Sequence, residues 1–165
     1  MTMEIQQLMS KIEGIRDAFH AAVFVDRDLD AAMEDVGQEC VLETVPGVVG
    51  ARGDEDIRRF LGEDVIAHLP SGLEFTRVSK TSDQRRVAHE MTVRFAHDRE
   101  LPWLLPGVDP TGRDVETSAV SVVSFKHASK LGVVHSRILS YRIMWDRLDV
   151  MSQIGLLDRA AAAAG

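Results

Sequence analysis

Arg137-Ile-Leu-Ser-Tyr-Arg-Ile-Met-Trp145 is followed by Asp146 and by Arg147-Leu-Asp-Val-Met-Ser-Gln-Ile-Gly-Leu-Leu157. The first run predicts a β-strand, and the second has the apolar spacing of a short amphipathic helix. Asp146 therefore lies at a strand-to-helix junction, where two interpretations are open. A carboxylate beside a large aromatic at a strand end is placed to enter a pocket and transfer protons. It can equally cap the helix by accepting a hydrogen bond from a backbone N–H two or three residues on.

The strand signal extends over the second half of the chain. Apolar and polar residues alternate with a period of two in the segments 73–81, 85–98, 113–126 and about 132–145. The connections between these segments are a few residues long, which predicts antiparallel hairpins. The second half therefore predicts one mainly antiparallel sheet.

The first half of the chain predicts helices. A long amphipathic helix is indicated by apolar residues at three- and four-residue steps, namely Ile5, Leu8, Met9, Ile12, Ile15, Phe19, Ala22 and Val23. A second short helix is predicted over 29–36, with Asp28 as a possible N-cap and Gly37 closing it. Residues 54–68 return to helical spacing, with acidic residues in the first turn where they favour the helix dipole.

Between the second and third helices, Cys40 to Val45 predicts a strand, and Pro46-Gly47, Gly50 and Gly53 predict turns and loop. Helices that come first and strands that come last indicate an α+β domain with the helices packed on one face of a curved sheet. We expect a single domain over residues 1–158 and an alanine-rich tail over 159–165.

The composition narrows the classes of partner. The chain has 165 residues, is 45% hydrophobic and carries a formal net charge of -7. Because no basic run stands out, nucleic acid is not an expected partner. The apolar stretches are much shorter than the roughly 20 residues of a membrane-spanning helix, and residues 1–7 do not resemble a signal peptide. These observations predict a cytoplasmic protein without a membrane partner, in which the single cysteine, Cys40, is a buried thiol.

Four segments resemble the SnoaL-like branch of the nuclear-transport-factor-2-like superfamily, which includes polyketide cyclases. They are His97-Asp98, Leu101-Pro-Trp-Leu-Leu-Pro-Gly-Val-Asp-Pro-Thr-Gly-Arg113, Trp145-Asp146 and Val150-Met-Ser-Gln-Ile-Gly-Leu-Leu157. The resemblance implies a cone-shaped, cystatin-like fold with a pocket between the helices and the concave sheet face. It also implies a homodimer formed through the outer sheet face, and a general base that matches Asp146.

The interior face of the predicted strand 85–98 carries Val87, His89, Met91, Val93, Phe95 and His97. His89 is the best candidate for an interior histidine that assists Asp146 or polarises a substrate carbonyl. The alternative, a core histidine held by a buried hydrogen bond, is the more common role of such a residue. Arg142 shares the strand face of Asp146, and it can stabilise an oxyanion or form an ion pair with a nearby carboxylate.

The segment Leu101-Pro-Trp-Leu-Leu-Pro106 is too apolar for an ordinary surface loop, and its prolines disfavour a sheet ladder. We expect it to cover a ligand pocket or a dimer interface, with the pocket favoured. The predicted pocket residues are Phe19, Val23, Met91, Trp103 and Trp145.

No metal site or cofactor is predicted. His89 and His97 are separated by eight residues of strand, about 26 Å, which is too far for a shared ion. His127 and His135 flank a turn and lack a third ligand.

Two functions of different classes follow. The first is a cofactor-free enzyme that binds a largely apolar carbonyl compound and abstracts a proton through Asp146, giving aldol cyclisation, isomerisation or dehydration. The second is a dimeric module that binds a hydrophobic metabolite without turnover. A dimer scaffold with a filled core is a third interpretation.

Overall fold

A computed structural model describes residues 4–45, 49–157 and 163–164. The predicted turn at Pro46-Gly47, and the predicted tail 159–165 apart from residues 163 and 164, lie outside the described residues. The helices are α1 (Ile5–Ala21), α2 (Leu29–Met33), α3 (Asp54–Arg59) and α4 (Arg147–Gln153). The strands are β1 (Val36–Val45), β2 (Gly50–Arg52), β3 (Glu74–Ser82), β4 (Arg86–Ala96), β5 (Asp114–Lys130) and β6 (Val133–Trp145).

The six strands form one sheet in the order β2-β1-β6-β5-β4-β3. Among the strands of the described residues, β1 pairs with β6 in parallel and the other pairings are antiparallel. The predicted α+β class, the mainly antiparallel sheet and the four strands of the second half are confirmed.

The core lies between the inner sheet face and the helices. Along β4, buried residues alternate with exposed or half-buried ones, as the sequence predicts. The inner face of β4 is formed by Val87, His89, Met91, Val93 and Phe95, all of which are buried. Helix α1 contributes Ile12 and Phe19 to the same core, so that its apolar stripe covers the sheet.

The second helix is shorter than predicted. Asp28 caps it by accepting from the N–H of Ala31 at 3.0 Å, but the helix ends at Met33, and Gly37 belongs to strand β1. The pairing of β1 with β6 is interrupted between Val36 and Val41. A Cβ at Gly37 would lie 3.0 Å from the carbonyl oxygen of Ile138. The glycine is therefore used for close approach of two strands rather than to end a helix.

The expectation of loop at Gly50 is wrong, because Gly50 begins the short edge strand β2, which pairs antiparallel with β1. A Cβ at Gly50 would lie 2.4 Å from the carbonyl oxygen of Leu42. Gly53 does lie outside the strands, with a φ of 86° immediately before α3.

Helix α1 and helix α3 each continue into a π-helical turn, over Ala22–Asp26 and Phe60–Val65 respectively. The segment 101–105 is buried at Leu101, Trp103, Leu104 and Leu105, so it packs against the core. Within the described part of the chain, no helix combines the length and the apolar character that a membrane crossing requires.

Candidate functional site

Polar side chains from four elements converge inside the molecule. We call them the interior polar cluster: Arg16 and His20 of α1, His89 of β4, Ser121 of β5 and Tyr141 of β6. The strand register brings them together, because His89 is the direct partner of Ser121 across β4 and β5. Arg16 extends from helix α1 to these strand residues, since its guanidinium nitrogen Nη2 donates to Ser121 Oγ at 3.3 Å.

Arg16 is a buried cation, with only 4% of its surface exposed. Its Nη2 also lies 3.4 Å from the sulfur of Met91, and its Nη1 lies 3.3 Å from Asp17 Oδ1. The Asp17 side chain is 55% exposed, so solvent screens this ion pair. Among the described residues, the Nε of Arg16 has no hydrogen-bond partner. Because a guanidinium keeps its charge, the interior around Arg16 is electropositive.

The two histidines of the cluster are neutral at physiological pH. Burial, and secondarily the charge of Arg16, lower the pKa of His89 from 6.5 to about 4. The same two causes lower the pKa of His20 to about 3. In the described part of the chain, His89 Nε2 and His20 Nδ1 are buried without a hydrogen-bond partner. Each neutral imidazole thus retains a ring nitrogen that a ligand can engage.

Tyr141 completes the cluster from β6 and is buried. Burial raises the pKa of its hydroxyl, although the nearby charge of Arg16 acts in the opposite direction. Its oxygen makes no hydrogen bond to any residue that the structure describes. Buried polar atoms are normally paired, so several such atoms in one place indicate a site that binds something.

An apolar cavity of about 30 Å³ adjoins the cluster. It is lined by Phe19, Val23, Phe24, Leu42, Thr44, Phe60, Leu61, Val65, Trp103, Ile143 and Trp145. Two contacts connect it to the cluster: the Phe19 and Tyr141 rings are 5.1 Å apart, and Ile143 is the register partner of Ser121. Both π-helical turns contribute to its wall, and such turns are frequent at functional sites.

The three predicted catalytic residues are not brought together. His89 is interior and only 2% exposed. Asp146 is exposed and caps α4, with Oδ1 accepting from the N–H of Asp149 at 3.0 Å. Arg142 is exposed and pairs with Glu43 at 2.6 Å. It lies on the outer sheet face, because its strand neighbours Tyr141 and Ile143 are buried.

Four of the five predicted pocket residues, Phe19, Val23, Trp103 and Trp145, line the cavity. The fifth, Met91, lies against Arg16 instead. The pattern of the sequence did not predict a functional role for Arg16 or Ser121, nor that the Tyr141 side chain faces the interior. A signal for Arg16 exists, since it stands between Ile12 and Phe19 on the apolar stripe of α1.

A larger groove of about 630 Å³ lies elsewhere, where β1 separates from β6. It is bordered by charges of both signs, including Glu39, Lys126 and Arg137, all of which are exposed. The interior cluster is the stronger candidate because four of its polar atoms are buried without a hydrogen-bond partner among the described residues. Among the described residues, no group of three or more His, Cys, Asp or Glu side chains is placed to hold a metal ion.

Comparison with solved structures identifies the fold. The chain superimposes on a candidate SnoaL-like polyketide cyclase from Jannaschia with a TM-score of 0.69 and 16% identity, covering 93% of this chain and 97% of the other. It matches an LEH-like epoxide hydrolase from M. tuberculosis with a TM-score of 0.61 and 18% identity, over 95% and 98% of the two chains. A Cytophaga hutchinsonii protein of unknown function, described as NTF2-like, matches with a TM-score of 0.58 and 12% identity, over 84% and 98%.

The protein therefore has the nuclear-transport-factor-2-like fold. The likeness to SnoaL-like cyclases and epoxide-hydrolase-like enzymes, at 16%, 18% and 19% identity, agrees with the fold that the sequence resemblance implies. No protein-family description matches the chain, and comparison with curated proteins gives no match.

Proposed function

We propose that the protein is a SnoaL-like small-molecule enzyme that binds a largely apolar carbonyl compound and abstracts a proton beside the carbonyl. The observation that carries this proposal is the interior polar cluster, in which buried donors and acceptors face one another beside an aromatic cavity. The likeness to polyketide cyclases and epoxide-hydrolase-like enzymes supports it. Aldol cyclisation, isomerisation and dehydration all begin with this proton transfer.

In the proposed reaction, the carbonyl oxygen accepts hydrogen bonds from Arg16 and Tyr141. Nε2 of His89 takes the proton from the adjacent carbon, and the electron pair of the C–H bond moves to the oxygen as an enolate. The enolate is stabilised by the guanidinium of Arg16 in a site shielded from water. The developing negative charge also raises the pKa of the nearby imidazole, so that His89 becomes a better base as the proton transfers.

Asp146 is the base that the family resemblance implies, but its carboxylate is exposed and caps α4. To act on an interior ligand it would have to leave that hydrogen bond. His89 already lies inside, so we assign the proton transfer first to His89.

Ligand binding requires the interior to expand. A volume of about 30 Å³ equals roughly the space of one water molecule, whereas small-molecule pockets usually exceed about 300 Å³. The segment 101–105 and the π-helical turns are the elements whose displacement would enlarge the cavity. Trp103 is held there by a long 3.4 Å hydrogen bond to the carbonyl of His68.

The second candidate function is a module that binds a hydrophobic metabolite without turnover. The low pKa of His89 favours this alternative, because a weakly basic imidazole is a poor proton acceptor. We also propose that the protein is a homodimer through the outer sheet face, where β5 presents the half-buried Val120 and Val122.

The experiment is hydrogen–deuterium exchange at the carbons beside the carbonyl of cyclohexanone and acetophenone, followed by NMR in D₂O. The wild-type protein should accelerate the exchange, and His89→Gln should lose about 100-fold or more of the acceleration, the usual contribution of a general base. His135→Gln is the matched control, because His135 is an exposed histidine of β6. Binding of the ketones without acceleration would support the binding module instead.

A further inference from the structure

We infer that the ligand of this site carries a carboxylate on an apolar body, and that the guanidinium of Arg16 binds that carboxylate. The inference rests on the interior site of the proposed function and names the chemical class of its ligand. It does not depend on whether the bound molecule reacts.

The hydrogen-bonding capacity of Arg16 fits a carboxylate ligand. A guanidinium has five N–H donors in a planar fork that matches the two oxygens of a carboxylate. Among the described residues, these donors contact one serine oxygen, one thioether sulfur and one oxygen of Asp17. The contact to Ser121 Oγ, at 3.3 Å, is long for a hydrogen bond from a cation to oxygen, and the Met91 sulfur at 3.4 Å is only a weak acceptor.

The charge balance around Arg16 also favours a carboxylate ligand. Burying an uncompensated ion is energetically costly, and the nearest carboxylate, Asp17, has its side chain 55% exposed. The other acidic residue on this part of α1, Glu13, already pairs with Lys80 at 2.8 Å. His20, His89 and Tyr141 are uncharged at neutral pH. Within the described residues, a buried carboxylate that would neutralise Arg16 is therefore missing, and a ligand can supply it.

The surroundings of Arg16 also fit the apolar body of the ligand. Arg16 and Phe19 are three residues apart on α1 and so lie on the same helix face. Phe19 contacts Tyr141 and also lines the cavity that ends at Trp103 and Trp145. A ligand with its carboxylate on Arg16 can thus extend its apolar part between these aromatic rings.

The competing explanation is that Arg16 and Asp17 form a structural ion pair that fixes α1 on the sheet. That explanation predicts that acids and their neutral amides bind equally well or not at all. It also predicts that Asp17→Asn leaves ligand affinity unchanged. Our inference predicts that Asp17→Asn strengthens carboxylate binding, because a competing carboxylate is removed.

The test is titration calorimetry of the full-length protein with benzoate and with benzamide, its neutral analogue of nearly the same shape. We expect benzoate to bind the wild-type protein at least about tenfold more tightly. Arg16→Met, which keeps the volume but not the charge, should abolish that preference, and Arg16→Lys should retain part of it. Arg142→Met is the matched control on the outer sheet face, and it should behave as the wild type.

Equal affinity of the wild type for benzoate and benzamide would overturn the inference, and this comparison needs no variant to fold. A preference that survives in a folded Arg16→Met would overturn it as well. The result is separable from the proposed reaction. A benzoate preference without deuterium exchange would leave the carboxylate site standing and remove the enzyme. Exchange of neutral ketones without a benzoate preference would support the enzyme and overturn the carboxylate site.

Discussion

Oδ1 of Asp146 accepts a hydrogen bond from the backbone N–H of Asp149 at 3.0 Å, so the residue that the family resemblance implies as a base is also the N-cap of helix α4. Behind it, Trp145 points into the interior and lines the cavity. Strand neighbours face opposite ways, which explains how one side chain of the pair is buried while the other is exposed.

This relationship predicts different outcomes for two substitutions of Asp146. Asparagine also caps helices, so Asp146→Asn should keep nearly the full stability, whereas Asp146→Ala should lower the free energy of unfolding by about 1 kcal/mol. Chemical denaturation measures both values. If His89 is the base, ketone exchange should survive in Asp146→Asn. Loss of exchange in a stable Asp146→Asn would return the catalytic role to the aspartate.

The strands of the second half could be predicted because their period of two persists over many residues. The burial of β4 at alternate positions follows the sequence from Val87 to Phe95. The short strand β2 could not be predicted, because three residues give no periodicity and their pairing depends on β1. The prediction that Gly37 ends a helix was wrong, because a glycine in that role cannot be told by sequence from a glycine that allows close approach of a neighbouring strand.

The site was only partly predictable. His89 and the aromatic wall follow from strand alternation and from the apolar segment around Trp103. Arg16 was missed because an arginine beside a helix's apolar stripe usually extends its charge to solvent. Only the tertiary structure shows that it instead reaches Ser121 on β5.

The outer sheet face makes a prediction about assembly. Val120 and Met144 are register partners on β5 and β6, and both are half-buried on the face opposite the core. If this face forms the proposed dimer, Val120→Glu should give a monomer, because a charge at an apolar interface is costly to desolvate. Light scattering after size-exclusion chromatography measures the mass. Gln7→Glu, a charge on the exposed side of helix α1 and across the sheet from this face, is the control and should remain dimeric. A monomeric wild type would contradict the proposal.

The buried histidines predict how stability depends on pH. In the unfolded chain they take up a proton near pH 6.5, whereas in the folded protein the pKa is about 4 for His89 and about 3 for His20. Burial lowers the pKa of His97 in the same direction. Between pH 6.5 and the lower pKa values of the folded protein, the unfolded state binds more protons than the folded state. The free energy of unfolding is therefore highest above pH 6.5 and falls as the pH drops toward 4.

For His89 alone, a shift from 6.5 to about 4 corresponds to about 3 kcal/mol over this range. Urea unfolding at a series of pH values should show that His89→Gln flattens the dependence, since glutamine does not titrate. Carboxylates contribute separately, because Asp98 has a pKa lowered to about 2 by its hydrogen bonds to Ser71 and Arg99 and loses its contribution only at lower pH. The exposed His135→Gln should leave the curve unchanged. An unaltered slope in His89→Gln would mean that the pKa of His89 is the same in the folded and the unfolded protein, which would contradict the lowering of that pKa by burial.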